Sequence, residues 1–391
     1  MVYNIIGALR PAASFALATT SSSSTTTTYG RLPSTRTFQG PFRVGSFRRF
    51  CSRPSRVSSC RYAVSYSTHS SFNDAIIDQY DAFILDQFGV MHNGMEALDG
   101  AVELVEYLYK KQKKLIILSN TSAPADKALE KLPKFGFSTE HFQGAVTSGE
   151  ESSRYILETY GGGGGGSNSD SQKVTKAVMF TWDASKPNNP RLTAPPEAYL
   201  ERCGTVEVAT SVEDADLVLF HGSEVWYKGP NNDVVSLAPF IEQGDFSQID
   251  PILQACQARN LPAVCANPDF VVQNASGDGV AHMPGKIAAR YESMKGSCRT
   301  FGKPQVEHFE ACIRTLGLDK RRVAHVGDSL HHDIAGAVRA GIPNVFVTSG
   351  IHKNDFGTHF GELPTAELLE ALMEKEGGDT RPTHVVPAFR L

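Results

Sequence analysis

Acidic residues are missing from the first 73 residues of this 391-residue chain, and no lysine occurs before Lys110. The same stretch carries nine arginines and a continuous run of Ser and Thr at residues 19–28. A segment that is rich in Arg and Ser and free of acids is typical of an organelle transit peptide. Such a segment cannot bury enough apolar surface to fold. We predict that residues 1–72 are a disordered transit peptide.

The alternative for this segment is a disordered basic arm that binds nucleic acid, but such an arm would use Lys as readily as Arg. Arg-Phe-Cys at 49–51 and Arg-Tyr-Ala at 61–63 resemble mitochondrial processing sites, whereas the Ser/Thr run suits a chloroplast. We expect an organellar protein and favour the mitochondrion slightly. Removing the nine arginines takes the formal net charge from −4 to −13, and so acidic a protein is not expected to bind nucleic acid.

Long apolar runs and paired cysteines are missing too. No uninterrupted apolar run approaches the roughly 18 residues that span a bilayer, which predicts a soluble protein without a membrane partner. The seven cysteines include no C-x-x-C pair, so a disulfide framework and a structural zinc site are both unexpected. We expect most of these cysteines to be buried apolar side chains. The length exceeds what one hydrophobic core usually supports, which predicts two domains beside the extension.

Asp86 follows a short apolar run, residues 80–85, that predicts a buried strand. It would lie at the carboxyl end of that strand, where open α/β sheets place their ligand crevices. Gly89 then lets the backbone turn away tightly. A carboxylate in this position can act as a nucleophile, a metal ligand or both. Because a strand followed by Asp and a turn is a weak signal alone, its meaning depends on three motifs downstream.

Two of these motifs carry groups that can bind a phosphoryl group. A second apolar strand ends in Ser119-Asn120-Thr121, and a Ser hydroxyl with nearby backbone N–H groups can hold a phosphoryl oxygen. Lys303 comes just before a predicted helix and offers a compact positive charge to a phosphoryl group and to Asp86.

The third motif is a further strand that ends in Asp328, with Asp333 at the head of the helix pattern that follows. Asp86 and Asp328 together make an oxygen-rich site suited to Mg²⁺. Asp333 has two roles available, as the N-cap of its helix or as support for Asp328, Lys303 and the metal.

These four motifs, in this order, resemble the haloacid dehalogenase superfamily of phosphohydrolases. Residues 86–101 and Asn267-Pro268-Asp269 further resemble its subfamily IIA, which includes p-nitrophenyl phosphatase-like, pyridoxal phosphate and phosphoglycolate phosphatases. The resemblance implies a doubly wound parallel α/β sheet with a Rossmann-like core, formed by residues 73–150 and 267–391. It also implies an inserted α/β cap of the C2 type at 151–266, which closes over the site and selects the substrate.

The resemblance also implies an activity and the residues that perform it. The expected reaction is Mg²⁺-dependent hydrolysis of a small phosphorylated metabolite through an aspartyl-phosphate, and a homodimer contact through the cap is expected from relatives. The residues and their expected roles are Asp86 as nucleophile and metal ligand, Lys303 as charge stabiliser, Ser119, Asn120 and Thr121 as phosphoryl-binding groups, and Phe88, Asp328 and Asp333 at the metal.

One position departs from the family pattern. The family's phosphatases carry a second Asp two residues after the nucleophile, as general acid and base, and here that residue is Phe88. The metal site need not suffer, because this residue binds Mg²⁺ through its backbone carbonyl in the family. A positioned proton donor is worth about 10²–10⁴-fold in rate, so we expect a slow or selective phosphatase. Two alternatives stay open: a phosphotransferase or phosphonatase-like enzyme, and a catalytically weak module that binds a phosphorylated ligand.

His92 is a candidate for the missing acid, since it lies six residues beyond Asp86 and its ordinary pKa is near neutrality. The alternative is a loop histidine that covers the mouth of the site, and we favour it. Adjacent histidines at 331 and 332 are likewise expected in an exposed capping loop rather than on a metal.

Periodicity and composition predict the remaining elements. We expect helices over 100–112, 124–135 and 362–374, strands at 176–180, 205–209 and 216–220 in the cap, and an edge strand in the tail 382–391. The six glycines at 161–166 predict a flexible linker, because a P-loop would need a following Lys-Ser/Thr. Trp182-Asp183 and residues 222–230 are candidate substrate-reading loops, although Trp226 and Tyr227 could equally be core residues.

Overall fold

The structure is a computed structural model that describes residues 66–161, 174–186, 189, 195–230, 234–273, 279–377 and 380–391. Residues 1–65 of the predicted transit peptide and residues 162–166 of the predicted glycine linker lie outside the described part. All described residues belong to one compact unit, Tyr62–Leu391.

The strands of the described residues form two large sheets and one small hairpin. They are β1 (Ser67–Thr68), β2 (Ala82–Leu85), β3 (Lys114–Ser119), β4 (Phe142–Thr147), β5 (Thr175–Thr181), β6 (Val206–Val208), β7 (Leu217–Phe220), β8 (Val225–Tyr227), β9 (Val235–Ser236), β10 (Ala263–Cys265), β11 (Val271–Gln273), β12 (Val280–His282), β13 (Cys298–Thr300), β14 (Val323–Gly327), β15 (Asn344–Val347) and β16 (His384–Val386).

The helices are mostly short. They are α1 (Asp74–Ile77), α2 (Ala101–Lys110), α3 (Ala125–Glu130), α4 (Ser148–Thr159), α5 (Pro196–Arg202), α6 (Ala238–Gln243), α7 (Asp250–Ala258), α8 (Pro284–Ser293), α9 (Val306–Leu316), α10 (Ala335–Ala340), α11 (Lys353–Phe356) and α12 (Ala366–Leu372). None of the helices in the described part of the chain combines the length and the apolarity that a membrane span requires.

The first sheet has the strand order β1-β16-β15-β14-β2-β3-β4, and every neighbouring pair is parallel. Its central strands are buried on both faces, which is why they are almost wholly apolar. Phe83 and Leu85 of β2 belong to the core cluster that contains the apolar side of α2. Ala82 and Ile84 belong to the cluster that contains α9 and α10. Helices therefore cover both faces, as the predicted doubly wound α/β fold requires.

The second sheet is inserted between β4 and β14. Its order is β13-β10-β7-β5-β8-β9, and β6 also pairs with β5. The three strands predicted in the insertion correspond to β5, β6 and β7. The predicted cap ends at Ala266, but the sheet continues past this residue to β13, which pairs in parallel with β10. This final strand is short and partly polar, so its sequence gives little periodic signal.

The described fold begins earlier than the sequence predicts. β1 pairs with β16, and Phe72 is fully buried with edge-to-face contacts to Phe83 and Phe389. The prediction that disorder extends to residue 72 is therefore wrong for residues 66–72. This short polar segment is ordered through its pairing with a strand more than 300 residues away, which no local pattern indicates.

Three other predicted elements differ in detail. The helix predicted over 124–135 is divided into α3 and a 3-10 turn at Leu132–Phe135, because Pro133 cannot donate a backbone hydrogen bond. The tail strand β16 lies one place inside the sheet edge, since β1 covers it. The helix predicted from 362 begins at Ala366, where the Thr365 side chain accepts a hydrogen bond from Leu368 N.

We predict that Phe72→Ala lowers the free energy of unfolding by about 3–5 kcal/mol, the usual cost of truncating a buried Phe. Urea unfolding would measure the change. Met95→Ala is the matched control, because Met95 is 69% exposed and its truncation should cost less than about 0.5 kcal/mol. Equal stability of the Phe72 variant and the native chain would contradict the burial of this ring.

Candidate active site

Asp86 lies at the carboxyl edge of the first sheet, directly after the fully buried strand β2. Its backbone N–H donates to Val326 O in the neighbouring strand β14 at 2.9 Å, and its side chain is buried. The strands on either side, β3 and β14, end at the same edge because all three are parallel. The groups that follow these strands therefore meet around Asp86.

Lys303 joins two of the carboxylates at this edge. Its Nζ lies 2.5 Å from Asp86 Oδ1 and 2.7 Å from Asp333 Oδ1. The lysine is buried, and burial alone would lower its pKa. The charges of Asp333 and Asp86 outweigh this effect and raise the pKa of Lys303 above its usual range. Lys303 is thus an ammonium ion at any pH at which an enzyme works.

Asp333 is held from three sides. Besides the contact with Lys303, its Oδ1 lies 2.8 Å from His325 Nε2, and its Oδ2 accepts a hydrogen bond from Ser329 N. Burial would raise its pKa, but Lys303 and His325 outweigh burial and lower it. The predicted N-cap role is wrong, because Ser329 caps the turn Leu330–Ile334 that precedes α10. The supporting role for Lys303 is what the geometry shows.

His325 lies behind Asp333 in strand β14 and is fully buried. Its Nδ1 lies 3.1 Å from Ile84 O, and burial lowers the pKa of the ring. Because an ionised Asp333 can only accept a hydrogen bond, Nε2 is the nitrogen that donates to it at 2.8 Å. No motif in the sequence assigns a role to His325, although it belongs to the strand that leads to Asp328.

Asp328 follows β14, and its carboxylate packs closely against Gly89 and Gly350. Its Oδ2 accepts a hydrogen bond from Ile351 N at 2.7 Å. A Cβ atom at Gly89, whose φ is +82°, would lie 2.0 Å from this oxygen, and one at Gly350 would lie 2.1 Å from it. Any larger residue at either glycine would displace the carboxylate. The carboxylate of Asp328 therefore depends on the glycine that the sequence predicts at the turn.

The three carboxylates fit a hard divalent cation. Asp86, Asp328 and Asp333 each have an oxygen within 4.8 Å of the others, and all are buried. Burial, reinforced by Asp333 and opposed by Lys303, raises the pKa of Asp86 to about 7, and burial with the Asp86 charge raises that of Asp328. One ammonium ion leaves the cluster short of positive charge. Oxygen ligands with excess negative charge suit Mg²⁺, and Asp86 and Asp328 are the residues free to hold it.

The predicted phosphoryl-binding residues lie at the end of β3. Ser119 is buried, and its Oγ accepts a hydrogen bond from Thr121 N at 3.3 Å. The Oγ of Thr121 accepts one from Ala123 N. Asn120 differs from the prediction, because its Oδ1 accepts from Lys303 N at 2.6 Å and its Nδ2 donates to Asp269 Oδ1 at 2.7 Å. Its amide thus positions Lys303, and Ser119 stays a predicted phosphoryl-binding residue.

Phe88 turns its ring toward the loop that follows it. The ring lies 6.1 Å from that of His92 in an edge-to-face arrangement, and a Cβ atom at Gly94 would lie 3.1 Å from it. His92 in turn stacks on Phe135 at 4.3 Å, and its Nδ1 accepts a hydrogen bond from Gly94 N. Burial lowers the pKa of His92 to about 4. A neutral, stacked imidazole favours the covering role over the acid role.

Asp269 and His332 extend the site on the side of the Asn-Pro-Asp turn. Asp269 Oδ1 lies 3.5 Å from His332 Nδ1, and its charge contributes to the raised pKa of Asp86. His332 is half-buried and faces Phe270 edge-on at 6.2 Å. The expectation of an exposed capping loop is therefore wrong for His332, although His331 is exposed. The sequence analysis uses Asp269 only as part of the subfamily resemblance and predicts no role for it at the site.

A cavity of about 240 Å³ lies beside the loop that follows β3. Ser122 lines it, and the Ser122 Oγ accepts a hydrogen bond from Trp182 Nε1 at 3.0 Å. Tyr199 and His221 contribute aromatic rings to the other walls, and Lys127, Glu201 and Arg202 contribute charged side chains. Trp182 is buried, and this hydrogen bond joins the residue that follows β5 to the loop that follows β3.

Three family models match the chain. Two that are described as haloacid dehalogenase-like hydrolase match residues 83–173 and 196–341, and a third, described as HAD-hydrolase-like, matches residues 300–389. An acid sugar phosphatase of Staphylococcus aureus (strain USA300) is 24% identical over 304 residues, which cover 76% of this chain and 99% of that protein. These matches confirm the family that the four motifs indicate.

Solved structures show the same fold. A haloacid dehalogenase-like hydrolase from Brucella suis 1330 superposes with a TM-score of 0.58 at 22% identity, covering 81% of this chain and 98% of that chain. A p-nitrophenyl phosphatase from Archaeoglobus fulgidus gives a TM-score of 0.52 at 21% identity, covering 80% of this chain and 97% of that chain. The predicted α/β class is therefore confirmed.

We predict that His92→Phe changes turnover less than about threefold and leaves the shape of the pH–rate profile between pH 5 and 9 unchanged. A group with a pKa of about 4 is neutral throughout this range, and Phe keeps the stacking on Phe135. Initial rates on p-nitrophenyl phosphate would test this. Loss of a limb of the profile in the variant would instead identify His92 as the replacement acid.

Proposed function

Because the chain belongs to the haloacid dehalogenase-like hydrolase family, we propose that it hydrolyses small phosphate monoesters with Asp86 as the nucleophile. The observation that carries the proposal is the buried contact of Asp86 Oδ1 with Lys303 Nζ at 2.5 Å, beside Asp328. Lys303 fixes one oxygen of Asp86 and leaves the other to attack. A positive charge held beside the attacked group stabilises the transition state of phosphoryl transfer.

The reaction would proceed in two displacements at phosphorus. In the first, Asp86 Oδ2 forms a bond to phosphorus, and the bond from phosphorus to the ester oxygen breaks with its electron pair on that oxygen. In the second, a water oxygen attacks phosphorus, the bond to Oδ2 breaks, and inorganic phosphate leaves. Ser119 and the backbone N–H groups of its loop would hold the phosphoryl oxygens. Mg²⁺ held by Asp86 and Asp328 would neutralise charge on those oxygens.

The departure of the ester oxygen is the step for which this site lacks a catalytic group. In the first displacement it needs a proton unless it is a stable anion, and Phe88 offers none. The same lack slows the second displacement, because the attacking water has no base at this position. A nitrophenolate leaves without a proton, whereas a sugar alkoxide does not. We therefore propose that turnover depends strongly on the leaving group.

The proposed substrate class is a sugar phosphate or a metabolite of similar size, which this site would hydrolyse slowly because the leaving alkoxide receives no proton from Phe88. Two features support this choice. The curated relative named above is an acid sugar phosphatase, and the cavity beside Ser122, at about 240 Å³, lies below the range of roughly 300–1,000 Å³ typical of sites for drug-sized ligands. Ser122, three residues after Ser119, lines this cavity, and we propose that the leaving group lies there.

We predict that Asp86→Asn lowers kcat on p-nitrophenyl phosphate by roughly 10⁴-fold or more, as removal of a nucleophile does, and that EDTA abolishes turnover until Mg²⁺ is restored. Assays on a panel of sugar phosphates would run beside it. Glu106→Gln is the control, since this carboxylate is exposed on α2. A phosphorylated Asp86 that forms and does not clear would favour the phosphotransferase or binding-module alternative.

We predict that Phe88→Asp raises kcat/KM on alkyl phosphates by up to about 10²–10⁴-fold, the value of a positioned proton donor. The gain on p-nitrophenyl phosphate should be much smaller, because its leaving group needs no proton. Phe88→Asn is the control, since it has the same shape as Asp without the acid. Equal effects of the two variants on both substrates would contradict a role for the missing acid.

A further inference from the structure

A group of hydrogen-bonding side chains lies at the far edge of the first sheet, away from Asp86. β1 and β16 are parallel, and Ser67 lies opposite His384 in their register. Side chains two residues apart on a strand point to the same face, so Ser67 and His69 share the face on which His384 lies. The two strands are held in register by bonds from Ser67 N to Thr383 O and from His69 N to Val385 O.

Three ligand-type atoms converge on this face. His69 Nε2 lies 3.3 Å from His384 Nδ1, and Ser67 Oγ lies 2.7 Å from His384 Nδ1 and 3.0 Å from His69 Nε2. Tetrahedral zinc with bonds of 2.0–2.1 Å places its nitrogen ligands roughly 3.3 Å apart. The two imidazole nitrogens are thus already at the spacing that one shared ion would impose.

We propose that His69 and His384, completed by Ser67 and water, bind a transition-metal dication of the Zn²⁺ or Cu²⁺ type. Imidazole nitrogens select these ions over Mg²⁺. Three atoms with the separations given above can all lie about 2 Å from a single point on their open side. Ser67 and His69 are accessible to solvent there, so an ion can enter without a change of fold.

Tyr80 gives His384 the orientation that a metal ligand needs. The Tyr80 hydroxyl lies 3.0 Å from His384 Nε2, and both side chains are buried. If Nε2 donates its proton to the hydroxyl oxygen, Nδ1 presents its lone pair to the open face. Metal-binding histidines are usually held through their second nitrogen in this manner. Since His69 is half-exposed and His384 is not, His384 is the fixed ligand and His69 the adjustable one.

The competing interpretation is a hydrogen-bond cluster that binds nothing. Ser67 Oγ can donate to His384 Nδ1 and accept from His69 Nε2, which would satisfy all three groups. The two interpretations differ in what an added ion does. A metal site binds one ion through two nitrogens, whereas a hydrogen-bond cluster gives no such species.

The test uses the full-length chain, stripped with EDTA and kept in excess Mg²⁺ so that the carboxylates around Asp86 do not take up the probe. Zn²⁺ is titrated calorimetrically, and Cu²⁺ is added for electron paramagnetic resonance. We expect one ion at this place with coupling to two nitrogens. His69→Ala should leave coupling to one nitrogen and weaken Zn²⁺ binding about tenfold or more, and Tyr80→Phe should weaken it by about 10–100-fold.

His331→Ala is the matched control, because the imidazole rings of His331 and His332 also lie close together, with centroids 4.9 Å apart. The two-nitrogen signal should persist in this variant. The proposal would be overturned if the two-nitrogen signal disappeared in His331→Ala and persisted in His69→Ala. Identical Zn²⁺ titrations of the native chain and His69→Ala would also overturn it. Because His69 is half-exposed, its truncation tests the site even if a variant of the buried His384 fails to fold.

Discussion

A single ammonium ion, that of Lys303, lies among three buried carboxylates, and the rest of the candidate active site is arranged around it. Buried charges are costly unless they are paired. Lys303 pairs with Asp86 and Asp333 at 2.5 and 2.7 Å, so these two carboxylates are compensated, while Asp328 accepts a hydrogen bond from the backbone N–H of Ile351. Removing Lys303 would leave Asp86 without this ion pair and Asp333 with His325 as its side-chain partner, in a low-dielectric space.

The position of Lys303 is itself determined by the chain on either side of it. Asn120 accepts from its backbone N–H, which ties the loop after the second sheet to the end of β3. Gly302, with φ at +104°, brings that loop so close that a Cβ atom would lie 2.5 Å from Asn120 Oδ1. The contact between Asn120 and Lys303 therefore connects the two halves of the site. Asn120, which the sequence predicts as a phosphoryl-binding residue, links the motif at the end of β3 to the motif that contains Lys303.

The sequence predicted the residues whose positions follow from local structure. Asp86 and Asp328 each follow a buried strand and Ser119 ends one, and parallel strands bring such residues to one edge, so their meeting could be predicted from the amino-acid pattern alone. Two further contacts at the site were not predicted. His325 contacts Asp333 through the turn between β14 and α10, and Asp269 reaches Asn120 from 149 residues away. Such contacts depend on tertiary packing, which the hydrophobic periodicity of the sequence does not indicate.

The fold was predictable to the same extent. The strands β2, β3 and β14 carry apolar runs and were located within a residue or two, whereas β1 and β13 are short, partly polar and ordered by their neighbours. Family resemblance supplied the inserted second sheet, which periodicity alone would not have separated from the first.

The edge strand β1 sets a limit on how far the chain can be shortened from its amino end. It is the outermost strand of the first sheet, and without it the N–H and C=O groups of β16 on that side would face solvent. An unpaired strand edge is a template for pairing with another chain. Cleavage on the amino-terminal side of Ser67 would leave β1 paired with β16. Cleavage a few residues later would remove β1 and leave β16 as an unpaired edge that can associate with another chain. The folded protein therefore tolerates trimming only up to that residue.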